Sequence, residues 1–281
     1  MPNRQEELTA MLRELRLPTM ATSCSQIALK ASKENLTHEG FLHELARLEC
    51  EERAQRRIER HLTQSKLPRE KTFRTFQWER LSAALRLQIE RLRSGEFVTH
   101  AHNVIAVGAP GVGKSHLAAA LGHELIQQGH TVLWSSTAAL VQRLLAAKRE
   151  LRLPQEIAKL QQVGCLILDD IGYVQQDRDE MEVLFTLLAE RYEQRSVLIT
   201  TNLVFSAWSR IFKDPMTTLA AIDRVVHHSV ILDLMTMESY RAKAATDQRN
   251  ALSIATTKTR SKVPNTPFLD LSPGASSGNS N

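Results

Sequence analysis

The octapeptide GAPGVGKS, Gly108 to Ser115, limits the fold more tightly than any other stretch of this 281-residue chain. It matches Gly-x-x-x-x-Gly-Lys-Ser/Thr at every fixed position, follows the apolar run NVIAV, and leads into HLAAALGHELI, where Leu117, Leu121 and Leu125 recur at helical spacing until Gly129. A strand that turns through glycines into a helix N-terminus makes a phosphate cradle. Gly108, Gly111 and Gly113 permit the tight turn, with Ala109, Pro110 and Val112 between them, so that successive N–H groups and the positive helix end face an anion. Lys114 adds a charge for the β- and γ-phosphates, Ser115 offers a hydroxyl to Mg²⁺, and His116 completes the nucleotide-binding set. ATP and Mg²⁺ are the expected cofactors. The plainer alternative, a Gly-rich turn without a ligand, does not require every position and both flanks to be correct.

The chain around the cradle alternates short apolar runs with amphipathic helices: NVIAVG, TVLWSS, CLILDD, SVLITTN and HSVILDL. Nearly continuous apolar strands separated by helices predict a parallel sheet covered on both faces, an α/β fold. Ahead of it, EELTAMLRELRLP predicts a helix with Leu8, Met11, Leu12 and Leu15 along one side, stopped by Pro18. A second helix carries Phe41, Leu42, Leu45 and Leu48 and continues into ECEERAQRRIERHL. Arg53, Arg56, Arg57 and Arg60 fit either a solvated face with local Glu partners or a docking surface. KLPREKTFRTFQWE reads as a linker. The expected organisation is a helical segment at 1–70, an α/β domain at 71–250, and a disordered tail at 251–281 that is rich in Ser, Thr, Pro and Gly.

A metal ion beside bound phosphates needs a carboxylate from another strand end. CLILDD supplies Asp169 as the metal partner and Asp170 at a position to orient or deprotonate attacking water. SVLITTN ends in Asn202, whose amide can hold that water or the γ-phosphate without competing for metal, although Asn also begins turns well. Lys114, Asp170 and Asn202 thus form a set suited to hydrolysis. A net charge of +5 and a pI near 9.2 allow an anionic partner such as nucleic acid without demanding one. The three cysteines, Cys24, Cys50 and Cys165, have no metal-ligand spacing, and their odd number fits a reducing cytoplasm. No apolar run approaches the roughly 18 to 20 residues that span a bilayer, so neither export nor a membrane partner is expected.

In order and spacing, GAPGVGKS, LILDD, ITTN, AAIDRVVHHSVILDL and ESYRAK resemble the IstB-like ATPases, AAA+ helper proteins of insertion-sequence transposition related to DnaC helicase loaders and DnaA initiators. The resemblance covers residues 5–245 and implies an AAA+ P-loop NTPase behind a small helical N-terminal domain. It implies that Arg224 in IDRVV is an arginine finger, reaching in trans to the γ-phosphate held by a neighbouring subunit, so that the active form is a homo-oligomeric ring or spiral. Pairing with Asp223 is the plainer alternative. Arg241 in MESYRAK matches a second sensing arginine that touches the nucleotide in cis, although Met237 stands where the family usually has glycine. Asp170 stands where AAA+ proteins at large commonly carry Glu. His227 and His228 lack ligand spacing and read as structural.

The resemblance further implies double-stranded DNA as a partner, held through its phosphates and largely independent of sequence. The candidate segment is VQRLLAAKRELRLPQEIAKL, with Arg143, Lys148, Arg149, Arg152 and Lys159. An ordinary amphipathic helix buried through Leu140, Leu144 and Leu145, with its basic residues solvated, fits each of these positions equally. A cognate transposase would perform the strand chemistry and dock on the segment before residue 70. A helicase loader is the alternative from the same ATPase residues. A small-molecule kinase would use the same cradle but leave Asn202 and Arg224 without work.

Overall fold

In a computed structural model of the protein, the residues described are 4–172, 178–203, 225–237 and 239. The N-terminal segment holds three helices, α1 (Arg4–Glu14), α2 (Pro18–Glu34) and α3 (His38–Ser65). Pro18 does end the first pattern, but it also begins a further helix, at whose first position a missing N–H and a fixed φ are tolerated. Thr37 caps α3 by accepting from the Gly40 N–H at 3.1 Å. Leu45 on α3 is buried, whereas Leu42 is 60% exposed and lies off the packed face.

α2 has no side-chain cap of its own; a residue of α3 serves it instead. The Glu49 carboxylate, only 2% exposed, accepts from the backbone N–H groups of Thr19 at 2.8 Å and Met20 at 3.0 Å. Arg53 donates to Glu49 at 3.0 Å and also reaches the Arg16 carbonyl, while Arg56 donates to the Thr19 hydroxyl at 3.1 Å. Two of the four arginines read as a solvated or docking face therefore hold the α1–α2 corner. An ionised carboxylate at a helix N-terminus also interacts favourably with the positive end of the helix dipole.

All five apolar runs form strands: β1 (Asn103–Val107), β2 (Val132–Ser136), β3 (Cys165–Ile171), β4 (Ser196–Thr201) and β5 (Ser229–Asp233). They make one parallel sheet in the order β2-β3-β4-β1-β5. Helices α4 (Ala83–Arg93), α5 (Glu96–Thr99), α6 (Lys114–Gln127), α7 (Thr137–Arg149), α8 (Leu153–Gln161) and α9 (Arg178–Arg191) complete the described elements. On one face Ile105, Leu166 and Ile199 pack with Leu144, Leu160 and Leu187. On the other, Val104, Ile167 and Leu198 pack with Leu117, Leu121 and Ile89, and Ile58, Leu62 and Leu67 from the end of α3 and beyond join them. Gly122 makes room for this approach, since a Cβ there would sit 2.9 Å from both the Leu67 and Ile167 side chains.

Arg191, 1% exposed, closes the end of the sheet at which the strands begin. Its guanidinium donates to the carbonyls of Leu160 at 2.8 Å, Val163 at 3.0 Å, Gly164 at 3.3 Å and Ser196 at 2.8 Å. Burial pulls its pKa down to about 10, so it stays charged at neutral pH. The planar fork suits this task because a single side chain satisfies several carbonyls at once. Burial pushes the Cys165 thiol up to about 12, which makes it inert.

Burial alone would raise the Glu49 pKa, but the N–H groups of Met20 and Thr19 and the Arg53 guanidinium outweigh it and hold the pKa below its ordinary value. A depressed folded pKa gives a contribution that is complete above the unfolded value of about 4.3 and lost as pH falls through the folded pKa. Glu49→Ala should cost about 1–3 kcal/mol. The protection factors of the amides at the start of α2 should fall on acidification in the native chain and be low at every pH in the variant. An equally protected α2 in the variant would contradict the capping role.

Candidate functional site

The phosphate loop leaves β1 between two neighbouring strand ends. The Gly108 N–H donates to the Thr201 carbonyl at 3.1 Å, and the Leu234 N–H donates to the Val107 carbonyl at 2.7 Å. Gly108 has no space for a side chain: a Cβ would lie 3.0 Å from Leu234 Cβ and Val112 Cγ2. Gly113 caps α6 with φ 103°, a left-handed backbone that favours glycine. Leu117 N–H bonds Gly113 O at 2.9 Å, so the N–H groups of Lys114, Ser115 and His116 belong to the open first turn, where an anion can satisfy them. Lys114 is 8% exposed, and its ammonium rests 2.8 Å from Gly108 O and 3.0 Å from Ala109 O. A cradle with no room for a Cβ, an open helix end and a buried cation together fit a polyphosphate.

β3 and β4 pair in register up to Leu168↔Ile199 and resume at Ile171↔Thr201, so β3 carries one extra residue where the two acids lie. A bulge of this kind breaks the alternation of side chains and re-aims them. Asp170 adopts φ 66° there, a left-handed backbone that Asp tolerates better than most residues. Three hydroxyls secure the bulge. Thr200 donates to Asp169 Oδ1 at 2.6 Å and accepts from the Asp170 N–H at 2.8 Å. Thr201 donates to Ile171 O at 2.9 Å, and Thr137 to Asp169 O at 3.1 Å. Asn202 follows at the tip of β4, and its Oδ1 is buried with no hydrogen-bond partner among the described residues. An orphaned acceptor at the edge of a phosphate cradle suits an ordered water or an ammonium donor.

Because β4 lies between β3 and β1, the acids, the amide and the cradle occupy three adjoining strand ends. This is where ligands settle in open α/β sheets. Asp169 and the Ser115 hydroxyl are the groups able to hold Mg²⁺ and its water shell. The Thr200 and Thr201 hydroxyls were not singled out from sequence; their only signal was a polar pair interrupting the apolar run VLI just before Asn202.

His116 turns its ring away from the loop. Its Nε2 lies 3.0 Å from Thr72 O and 3.2 Å from Thr75 Oγ1, and its ring meets Phe76 edge-on at 5.3 Å. Phe73 and Trp78 stack at 5.1 Å, with Phe76 edge-on to Trp78 at 5.7 Å. The segment expected to be a linker is thus an aromatic strap lying against the phosphate loop. Among the basic residues of α7, α8 and the turn between them, Arg143 pairs with Glu156, Lys148 with Glu182 at 3.0 Å, Arg152 with Glu150, and Lys159 with Glu156 at 3.3 Å. Arg149 is exposed. His227 and His228 contact each other at 3.1 Å, and His228 lies 3.1 Å from Glu193. Arg224, Arg241 and residues 251–281 lie outside the described residues. No described helix is long and apolar enough to cross a membrane.

The family model described as IstB-like ATP binding protein matches residues 10–248. An insertion-sequence ATP-binding protein of Sinorhizobium fredii is 43% identical over 264 residues, covering 92% of this chain and 88% of its own length. The ATP-binding protein of insertion sequence IS21 from Pseudomonas aeruginosa is 36% identical over 237 residues, with 84% and 89% covered. Among solved structures, DnaI superposes with a TM-score of 0.51 at 18% identity, covering 60% of this chain and 95% of DnaI. AMPPCP-bound DnaA from Aquifex aeolicus superposes with a TM-score of 0.50 at 17% identity, covering 67% and 57%. These structural likenesses are of fold, and the fold is that of AAA+ P-loop ATPases.

Lys114→Ala removes the cation seated on the loop carbonyls. Affinity for a fluorescent ATP analogue should fall about tenfold to a hundredfold, the worth of one charge-assisted contact. Unchanged affinity would show that this loop does not hold the phosphates.

Proposed function

This chain belongs to the IstB-like ATP binding protein family, and from that premise we propose that it is an ATPase that assembles on duplex DNA and assists the transposase of an insertion sequence. Its relatives are ATP-binding proteins of insertion sequences, which supports a transposition-associated ATPase. The observation that carries the finer reading is the meeting of cradle, acid pair and orphaned amide at three adjoining strand ends. In this reading Asp169 and Ser115 hold Mg²⁺, Asp170 orients or deprotonates the lytic water, and Asn202 Oδ1 accepts a hydrogen bond from that water. Arg224, one residue ahead of the buried Val225, reaches the γ-phosphate of a neighbouring subunit, and Arg241 senses the nucleotide in cis. A cation that neutralises charge on the transferred phosphoryl group makes ATP an adhesive between subunits. Hydrolysis then loosens the assembly.

The basic segment of α7 and α8 is the proposed DNA face, with Arg143, Lys148, Arg149, Arg152 and Lys159 directed at phosphates. Arg143, Lys148, Arg152 and Lys159 already have acidic neighbours, so DNA would exchange ion pairs for phosphate contacts, an exchange that is cheapest where both partners are exposed, as at Arg152 and Glu150. Residues 1–70 are the proposed transposase-binding part, where Leu8, Met11, Leu15 and Leu29 are exposed. Residues 71–250 are the proposed ATPase part. The helicase-loader alternative draws on likeness of fold alone, while the named relatives belong to insertion sequences.

Asp170→Asn should keep ATP affinity, lower turnover about a hundredfold or more, and prolong DNA-bound assemblies seen by light scattering with ATP. Turnover equal to the native chain would remove Asp170 from its role. Particles that stay monomeric with ATP and DNA would overturn the assembly reading.

A further inference from the structure

We infer that Thr200 is a positioning residue for ATP hydrolysis: its single hydroxyl locks the metal-side acid Asp169 and the water-side acid Asp170 into one unit with β4. The inference rests on the roles proposed above for those two acids.

Thr200 is completely buried in β4 and follows the apolar residues Val197, Leu198 and Ile199. A strand interior asks nothing of a hydroxyl at such a position, and Val would fill nearly the same volume. A threonine hydroxyl carries one proton and two lone pairs. Here the proton goes to Asp169 Oδ1 at 2.6 Å, in the short range of a bond to a charged acceptor. One lone pair receives the Asp170 N–H at 2.8 Å. The first bond fixes the rotation of the Asp169 carboxylate and leaves Oδ2 as the oxygen to hold the metal's water. The second holds the Asp170 backbone in its left-handed turn at φ 66° within the bulge, which decides where the Asp170 side chain starts.

The next residue repeats the stitch one step along. Thr201 donates to Ile171 O at 2.9 Å and accepts from the Leu203 N–H at 3.1 Å, bracketing Asn202. Two consecutive hydroxyls therefore tie the bulge of β3 to the strand end that carries the amide. Metal-side and water-side groups move together or not at all.

The test uses the full chain and three variants, T200V, T200S and D169N, with thermal melting as the control for folding. T200V should lower kcat about tenfold or more and raise the Mg²⁺ concentration for half-maximal binding of a fluorescent ATP analogue about tenfold, as loss of a group supporting a metal ligand does. KM for ATP at saturating Mg²⁺ should change less than kcat. T200S keeps the hydroxyl and should return both readings close to native. Native kcat and Mg²⁺ dependence in a folded T200V would overturn the inference, as would a T200S that loses as much as T200V. Should T200V not fold, T200S decides on the same two readings: native-like values support the hydroxyl's role, and a tenfold loss overturns it. D169N separates the layers. If it loses its Mg²⁺ dependence while T200V keeps it, Thr200 alone has been misassigned; if D169N keeps its Mg²⁺ dependence, the role of Asp169 falls and the inference with it.

Discussion

The strand Ser196–Thr201 runs parallel between the strand that ends in the phosphate loop and the strand that ends in the two acids. Its partners come from far away in sequence, so the insertion must be secured by the strand itself. Along its middle, Val197, Leu198 and Ile199 are buried on alternate faces and bind both layers of helices. At its start, the Ser196 carbonyl takes Arg191, the Ser196 hydroxyl donates to Phe97 O at 3.1 Å, and the Val197 N–H donates to Asn103 Oδ1 at 2.9 Å. At its far end, Thr200 and Thr201 fasten β3 and the Gly108 N–H fastens the loop. Polar groups buried at both ends set the register, and apolar packing between them supplies the stability. A slip of one residue would part the acids from the cradle.

A second theme is that polar and aromatic contacts, alongside the apolar packing of Ile58, Leu62 and Leu67, join the N-terminal helices to the nucleotide helix. Glu49, Arg53 and Arg56 gather the three helices at one corner. Farther along, His123 meets the Pro68 carbonyl at 3.0 Å and His116 meets Thr72, so the strap between the helices and the sheet is fastened to α6 at two places two turns apart. The helix that presents its N-terminus to the phosphates also carries the strap leading to the proposed partner-binding segment.

The cradle, the five strands and the acid pair were legible because each depends on local pattern: glycines at fixed spacing, short apolar runs, and charge at a strand end. Helix α2 was not, since Pro18 reads as a stop whether or not a helix begins there. Glu49 was hidden among the charges of a solvated-looking helix, and only contact with residues about thirty positions away makes it a cap. The bulge at Asp169–Asp170 and the hydroxyls that hold it depend on how two distant strands align, which no spacing within either strand records. The partners of Lys148 lie on α9, so the pairing of that basic side chain was equally out of view.

The central claim is that ATP is turned over at a seam, with the cradle from one copy and the arginine finger from another. The most direct measurement mixes two inactive chains, Lys114→Ala, which keeps its finger, and Arg224→Ala, which keeps its cradle, in the presence of duplex DNA. The account predicts that ATPase activity, absent from either alone, appears on mixing as hybrid seams form. A mixture as silent as its components, although the two variants are seen to assemble together, would contradict it.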